Sequence, residues 1–533
     1  MSVSGNSGWA AIRWGDVVLA SIAAVSWALV AMAGTAALGL HLLGADAAGA
    51  LGPMTAAVVV LGAGGSVTPT GDVSAFGLSG AQADTAVDFT PLGVALAGAV
   101  LLAWFFLHSL RAAGGWIPGA ELAARAAAVA VLFVAVIGGL AWAGHDLITI
   151  DGGQLGLGEV KVPGTSGIPG LGDLGGLLPG RLAALADARA RVGFSVDAAR
   201  SLVGAACWVA GVLVIALLAS RRSPLPRGWE ALHRVARPAV SALVAVVLVA
   251  VAAGFAAAAY AAVGDAHPRR IAGAALLGAP NGVWLAIPLG LFVPWNGRAT
   301  GTLTTLLPDP LDKLLGVGDD QAVTLGRLAQ LDGRIWVLAV ATSVLMLYAG
   351  VLAAARTPVY GRSPGAFTGR CALALAGATA LALPLMVWLT GVSANASLSV
   401  LGFDAFGAGI ELHGNAGLAL ALGAAWGAAA GAAGALLARV AGAAGRRAAH
   451  LASEAAGVPG PGEETAGAPG PYNPAPPYRP PNPATNPYLK LPPGLHGSPT
   501  LPGPRDRPPT GPRPRRPPYE GPPPPPGTPR GRR

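Results

Sequence analysis

Long apolar runs divided by short charged segments set the pattern of this chain. A helix of about 20 apolar residues crosses the hydrocarbon core of a bilayer. Runs at 17–43, 91–110, 122–144, 202–219, 238–263, 334–354, 371–391 and 416–438 reach that length and predict eight spanning helices. Two further apolar stretches are interrupted. Residues 51–65 are short and carry Gly52 and Pro53, and residues 271–294 carry Pro280, Asn281, Gly282, Pro288 and Pro294. Proline removes a backbone donor and glycine loosens a helix. These two stretches therefore predict broken or re-entrant segments, tolerated at membrane depth where protein or water covers the backbone. The expected fold class is all-α: a polytopic transmembrane bundle of about eight spans, two re-entrant segments and a disordered C-terminal tail.

Charge orients the bundle. The loops 111–125, 221–237 and 356–370 hold ten arginines (Arg111, Arg125, Arg221, Arg222, Arg227, Arg234, Arg237, Arg356, Arg362, Arg370) against Glu121 and Glu230. Arginine-rich short loops face the cytoplasm. With eight spans, both termini then lie in the cytoplasm and the chain is a multi-pass protein of the cell membrane. The apolar run after Arg13 and Asp16 exceeds a secretory signal core and reads as an anchor that stays.

The order of these elements runs twice. Each half reads as span, interrupted segment, outer loop, span, arginine-flanked inner loop, span, outer loop, span. The predicted units are 1–220, 221–440 and a tail, 441–533. Leu61-Gly62 parallels Leu289-Gly290, and His41 and His267 stand at matching outer ends. Two four-span halves in one orientation are related by an axis along the membrane normal, as in some transporters.

Composition agrees. The chain is 53% hydrophobic and 11% charged, whereas soluble domains carry about 25% charged residues. Its net charge of +9 is a property of the tail: from Arg439 onward there are 13 Lys/Arg against 5 Asp/Glu. This placement excludes a nucleic-acid-binding domain and makes anionic lipid a partner class for the tail. The tail also holds 28 of the 47 prolines from Pro459 on, including Pro474–Pro477 as PxxP, which fits a proline-binding protein. Oligomeric state is not readable. Cys207 and Cys371 are predicted at opposite membrane faces, which excludes a disulfide between them.

Candidate chemistry is sparse. Gly170–Gly175 matches GxGxxG without a preceding strand, and Gly361–Gly365 matches GxSxG with proline after the serine, so neither supports a nucleotide site or a nucleophile elbow. No catalytic constellation, cofactor or metal site emerges, and the chain does not read as an enzyme. Gly52, Pro53, Pro280 and Asn281 are the candidates for a solute path, since broken helices free backbone groups. His41, Asp46, His145, Asp265, His267 and His413 fall near outer membrane ends and could form a pH- or cation-responsive cluster. Gly423, Gly427 and Gly431 recur every fourth residue and predict a close helix contact. The outer loop 145–201 reads as a Gly/Pro stretch followed by a surface helix over 181–200, and 392–415 as a small outer cap.

The segment His41–Arg111, and most specifically LGADAAGALGPMTAAVVVLGAGGSVTPTGDVSAFGL from Leu43 to Leu78, resembles the streptophobe family of hydrophobic actinobacterial membrane proteins. The resemblance extends over 1–440. It implies a multispanning protein of the cytoplasmic membrane and supplies no activity and no site residues. Two functions stand open: a transporter- or channel-like protein, and a non-transporting scaffold or sensor that recruits partners through its tail.

Overall fold

The computed structural model describes residues 13–47, 49–71, 81–112, 118–143, 146–151, 189–220, 235–300, 316–317, 321–359, 363–400 and 403–448. The chain divides between Glu464 and Thr465, and every described residue belongs to the first unit. The helices are α1 (Trp14–Leu43), α2 (Leu51–Gly62), α3 (Leu92–Ala112), α4 (Gly119–Ala143), α5 (Ala198–Ala219), α6 (Arg237–Val263), α7 (Pro268–Gly290), α8 (Leu325–Leu331), α9 (Trp336–Arg356), α10 (Pro364–Leu389) and α11 (Ala416–Val440). All but α2 and α8 are long and apolar enough to cross a membrane, nine in all among the described residues. The chain is thus an all-α polytopic bundle and an integral membrane protein.

Each long helix buries one stripe and leaves apolar side chains on the other. In α1, Val17, Ser21, Ala24, Val25, Ala28, Met32 and Ala36 are buried at helical spacing, while Leu19, Trp27, Val30 and Leu38 lie exposed. Water would not tolerate so much exposed apolar surface, and hydrocarbon does. Several buried hydroxyls in the spans return to a carbonyl one turn back, as Ser21 does to Val17 O and Thr342 to Leu338 O.

The outer loops carry a feature the apolar pattern does not announce. Strands β1 (Val67–Gly71), β2 (Ala81–Asp88), β3 (Asp146–Asp151), β4 (Arg189–Val196), β5 (Trp295–Thr300), β6 (Gly316–Val317), β7 (Gln321–Val323), β8 (Val392–Val400) and β9 (Phe403–Gly414) join in one sheet, in the order β3-β4-β1-β2-β8-β9-β5-β6 with β7 also on β5. The expected surface helix over 181–200 is corrected in its described part: 189–196 is strand β4 and helix begins at Ala198. The expected cap at 392–415 is the β8–β9 hairpin.

A single sheet fixes which ends of the helices coincide. Strands directly follow α2, α4, α7 and α10 and directly precede α3, α5 and α11, so those helix ends share one end of the bundle. The opposite, basal end is defined by Arg356 Nη1 donating to Ser241 Oγ at 3.2 Å, by Gly445 N donating to Ala354 O at 3.2 Å, and by the packing of Val17 on Ala124. Helix α6 starts at the basal end, and only four residues separate its end from the start of α7. Both ends of α7 therefore lie at the sheet end, and so do both ends of α2. Eight helices traverse the bundle, and α2 and α7 have both ends at the sheet end. The segment expected to be broken at 271–294 is a continuous helix with Pro280 and Pro288 inside it.

Candidate functional site

Helix α7 lies where the first five helices meet the rest. Its N-terminal part rests on α1 and α3: a β-carbon on Gly273 would stand 2.7 Å from Gly39 O, and one on Gly39 would stand 2.7 Å from the Leu277 side chain. Its C-terminal part rests on α6 and α9, with Val283 against Gly254 and Gly290 against Thr342.

Pro280 is buried in this helix. Lacking N–H, it leaves Leu276 O without its helical donor. That carbonyl meets Gly93 of α3, where a β-carbon would collide with it. A Cα–H donor thus covers the freed oxygen. Asn281 is tied at both ends of its amide. Its Nδ2 donates to Thr90 O at 2.7 Å and its Oδ1 accepts from Leu92 N at 2.9 Å. Asn281 therefore caps α3 from a helix 189 residues further along the chain. Gly52 is exposed and Pro53 half-buried in the first turn of α2, where a missing N–H costs no helical bond. A cavity of about 30 Å³ borders α7, lined by Val246, Ile287, Thr342, Met346, Thr379 and Met386 among others, with apolar walls. It has room for roughly one water molecule.

The histidine candidates divide. His41 Nδ1 lies 3.0 Å from Asp46 Oδ2, and His267 Nδ1 lies 4.0 Å from Asp265 Oδ1, all four side chains being exposed. His267 N also donates to Asp265 Oδ1 at 2.7 Å, so that aspartate shapes the turn into α7. His413 is exposed in β9 opposite Asn296, and no contact joins it to the other pairs among the described residues. His145 lies outside the described residues. No group of three or more His, Cys, Asp or Glu is placed to hold a metal ion among the described residues.

Gly423, Gly427 and Gly431 all face α10. A β-carbon on Gly423 would stand 2.6 Å from Thr379 O, and one on Gly431 would stand 2.7 Å from Cys371 O. Thr379 Oγ1 completes the contact at 2.6 Å from Gly423 O. Cys207 is exposed and Cys371 buried, and both are free thiols. Sequence reasoning singled out Asn281 as a residue but not its partners, because nothing in the spacing couples positions 90, 92 and 281. It counted Arg125 as a loop charge, whereas Arg125 lies in α4, buried within the bundle with its Nη2 2.8 Å from Glu121 Oε1. The i,i+4 spacing of that pair was the available signal. No protein-family model, curated protein or solved structure matches the chain.

Proposed function

We propose that this protein is a non-transporting scaffold of the cell membrane, an eight-span bundle with a β-sheet at one face, followed in the chain by a basic, Pro-rich tail. The observation that carries the reading is the filled junction at α7. A solute path at membrane depth needs polar groups open to water. Here the carbonyl that Pro280 releases meets Gly93, the start of α3 is capped by Asn281, and the cavity beside Ile287 in the C-terminal part of α7 is small and apolar.

The basal end is the cytoplasmic one on this reading, since it carries Arg111, Arg125, Arg237, Arg356, Arg370 and Arg439 with Asp16 and Glu121 as its acids among the described residues. The tail then lies in the cytoplasm and recruits a proline-binding protein or anionic lipid. The reading keeps the chain with the streptophobe-like proteins it resembles.

A transporter or channel is the second reading. It is favoured by one observation, that α2 and α7 both enter and leave at the same end. Purified protein in liposomes separates the two. Flux of sodium, potassium, chloride, protons, glycerol and amino acids is expected to equal that of protein-free vesicles. A saturable, protein-dependent flux that changes on Asn281→Leu would replace the scaffold with a transporter. The tail is tested by ending the chain after Ala448, which keeps Gly445 N on Ala354 O and Arg447 N on Ala355 O. That chain should insert and unfold like the full one yet fail to complement a deletion strain.

A further inference from the structure

Both inserted helices end on the same cap. At α2, Gly64 has φ +83° and Gly65 N donates to Val60 O at 2.9 Å. At α7, Phe292 has φ +68° and Val293 N donates to Pro288 O at 2.9 Å. The next residue offers its carbonyl to the N-cap of a later helix: Ser66 O accepts from Asp197 N, and Pro294 O from Asn415 N, each at 3.1 Å. Asp197 Oδ1 then accepts from Arg200 N, as Asn415 Oδ1 does from Leu418 N. This correspondence pairs Ser66 with Pro294 and Ser201 with Ala419.

The difference between the paired positions is chemical. The α7 cap is built with Pro294 and Ala419, so the architecture needs no hydroxyl at either place. The α2 cap has two. Ser201 is 0% exposed, and the Ser66 and Ser201 hydroxyl oxygens are buried with no hydrogen-bond partner among the described residues. Thr55, in the N-terminal half of α2, is the third such hydroxyl. Elsewhere Thr357, Thr379 and Thr390 satisfy theirs on the carbonyl four residues back, a partner Ser201 does not use. A β-carbon on Gly65 would stand 2.7 Å from Ser201 Oγ and 2.9 Å from Val60 O, so only glycine lets this hydroxyl come so near the end of α2.

A buried hydroxyl beside the carbonyl end of α2, with a second on the residue just after its cap, offers an all-oxygen, neutral donor set at the negative end of a helix dipole. We propose that Ser66 and Ser201, with the carbonyl end of α2, hold a small monovalent cation that locks α2 against α5. A divalent ion would demand coordinating carboxylates, and the nearest, Asp197, is engaged with Arg200 through both oxygens.

The test is thermal unfolding of the full chain in detergent as sodium chloride replaces N-methyl-D-glucamine chloride at constant ionic strength. A saturable rise of about 2–4 °C is expected near tenfold excess over the dissociation constant. Ser201→Ala should fold, as Ala419 does at the paired position, and lose the rise; Ser66→Ala should lose most of it. Equilibrium binding of radioactive sodium should give one ion per chain for the native protein and none for the double variant. A native protein indifferent to sodium, or a rise that survives in the double variant, overturns the site and leaves the hydroxyls to water. Binding without flux leaves the scaffold reading intact, so the two proposals fail separately.

Discussion

Helices α2 and α7 occupy the same place in the element order, stop on the same left-handed cap and return the chain to the same sheet, yet they serve different ends. The 12 residues of α2 pack on α1, α3, α4 and α5, all within the first 220 residues. The 23 residues of α7 reach from α6, α9 and α10 across to α1 and α3. One core cluster is drawn from α1 to α5 and the turn after α2, and among the described residues the one later side chain packed against it is Leu277 of α7. The short helix thus stays among α1 to α5, and the long one bridges α1 and α3 to α6, α9 and α10. The sheet repeats the lesson: β3-β4-β1-β2 and β8-β9-β5-β7 have the same order, and the β2–β8 ladder, Asp84 opposite Ser397 among its pairs, links them.

Breaking the join should cost most. Gly93→Val drives a β-carbon into Leu276 O, a backbone group that cannot move without α7. Overpacking of this kind costs about 1–3 kcal/mol and more where backbone must shift, so a loss of about 3 kcal/mol is expected in thermal unfolding. Gly204→Val makes the matching collision with Gly64 O at the end of α2. It should cost about as much without loosening α7. Protease nicking of the 221–234 loop, followed by detergent gel filtration, reads the difference. The two fragments should separate in Gly93→Val and stay together in Gly204→Val. Fragments that separate equally would show that α7 is no more a joining element than α2.

The amide of Asn281 comes next. Asn281→Leu leaves Leu92 N and Thr90 O without partners, at about 1–3 kcal/mol for stranded buried groups. Asn281→Asp keeps the acceptor for Leu92 N and loses the donor to Thr90 O, so its loss should fall between native and Asn281→Leu. An Asp variant as unstable as the Leu variant would mean that the Thr90 bond carries the whole effect.

Most of the bundle was legible because hydrophobic run length is a direct response to bilayer thickness. The eight traverses, the short α2 and the arginine-marked basal loops all follow from that one physical constraint. The sheet was not legible. Strands such as VSANASLSV at Val392–Val400 are built of small residues with little alternation, and their register comes from partners hundreds of residues away, as with Asn395 opposite Ala86. The continuity of α7 was hidden because Pro280 and Pro288 read as breaks. Only the tertiary neighbour, Gly93, explains how a proline-bearing helix keeps its freed carbonyl covered. Among the candidate residues, the glycine face of α11 was readable from period alone, while the role of Asn281 depends on a contact that no local pattern encodes.

The smallest effect separates the two caps at their left-handed residue. Glycine at position 64 adopts φ +83° without steric cost, while phenylalanine at 292 holds φ +68° with a β-carbon crowded against the following carbonyl. That crowding costs about 1–2 kcal/mol. The Phe292 ring offsets part of it by packing on Trp336 with centroids 6.4 Å apart, although the residue stays 47% exposed. Phe292→Gly gives up the ring contact and removes the crowding, so its stability should lie within about 1 kcal/mol of native. Phe292→Ala gives up the same contact and keeps the β-carbon, so it should unfold about 1 kcal/mol more easily than the glycine variant. The comparison between the two variants cancels the lost ring and isolates the backbone. If alanine proves as stable as glycine at 292, the α7 cap does not use a left-handed residue there and its likeness to the α2 cap fails at its centre.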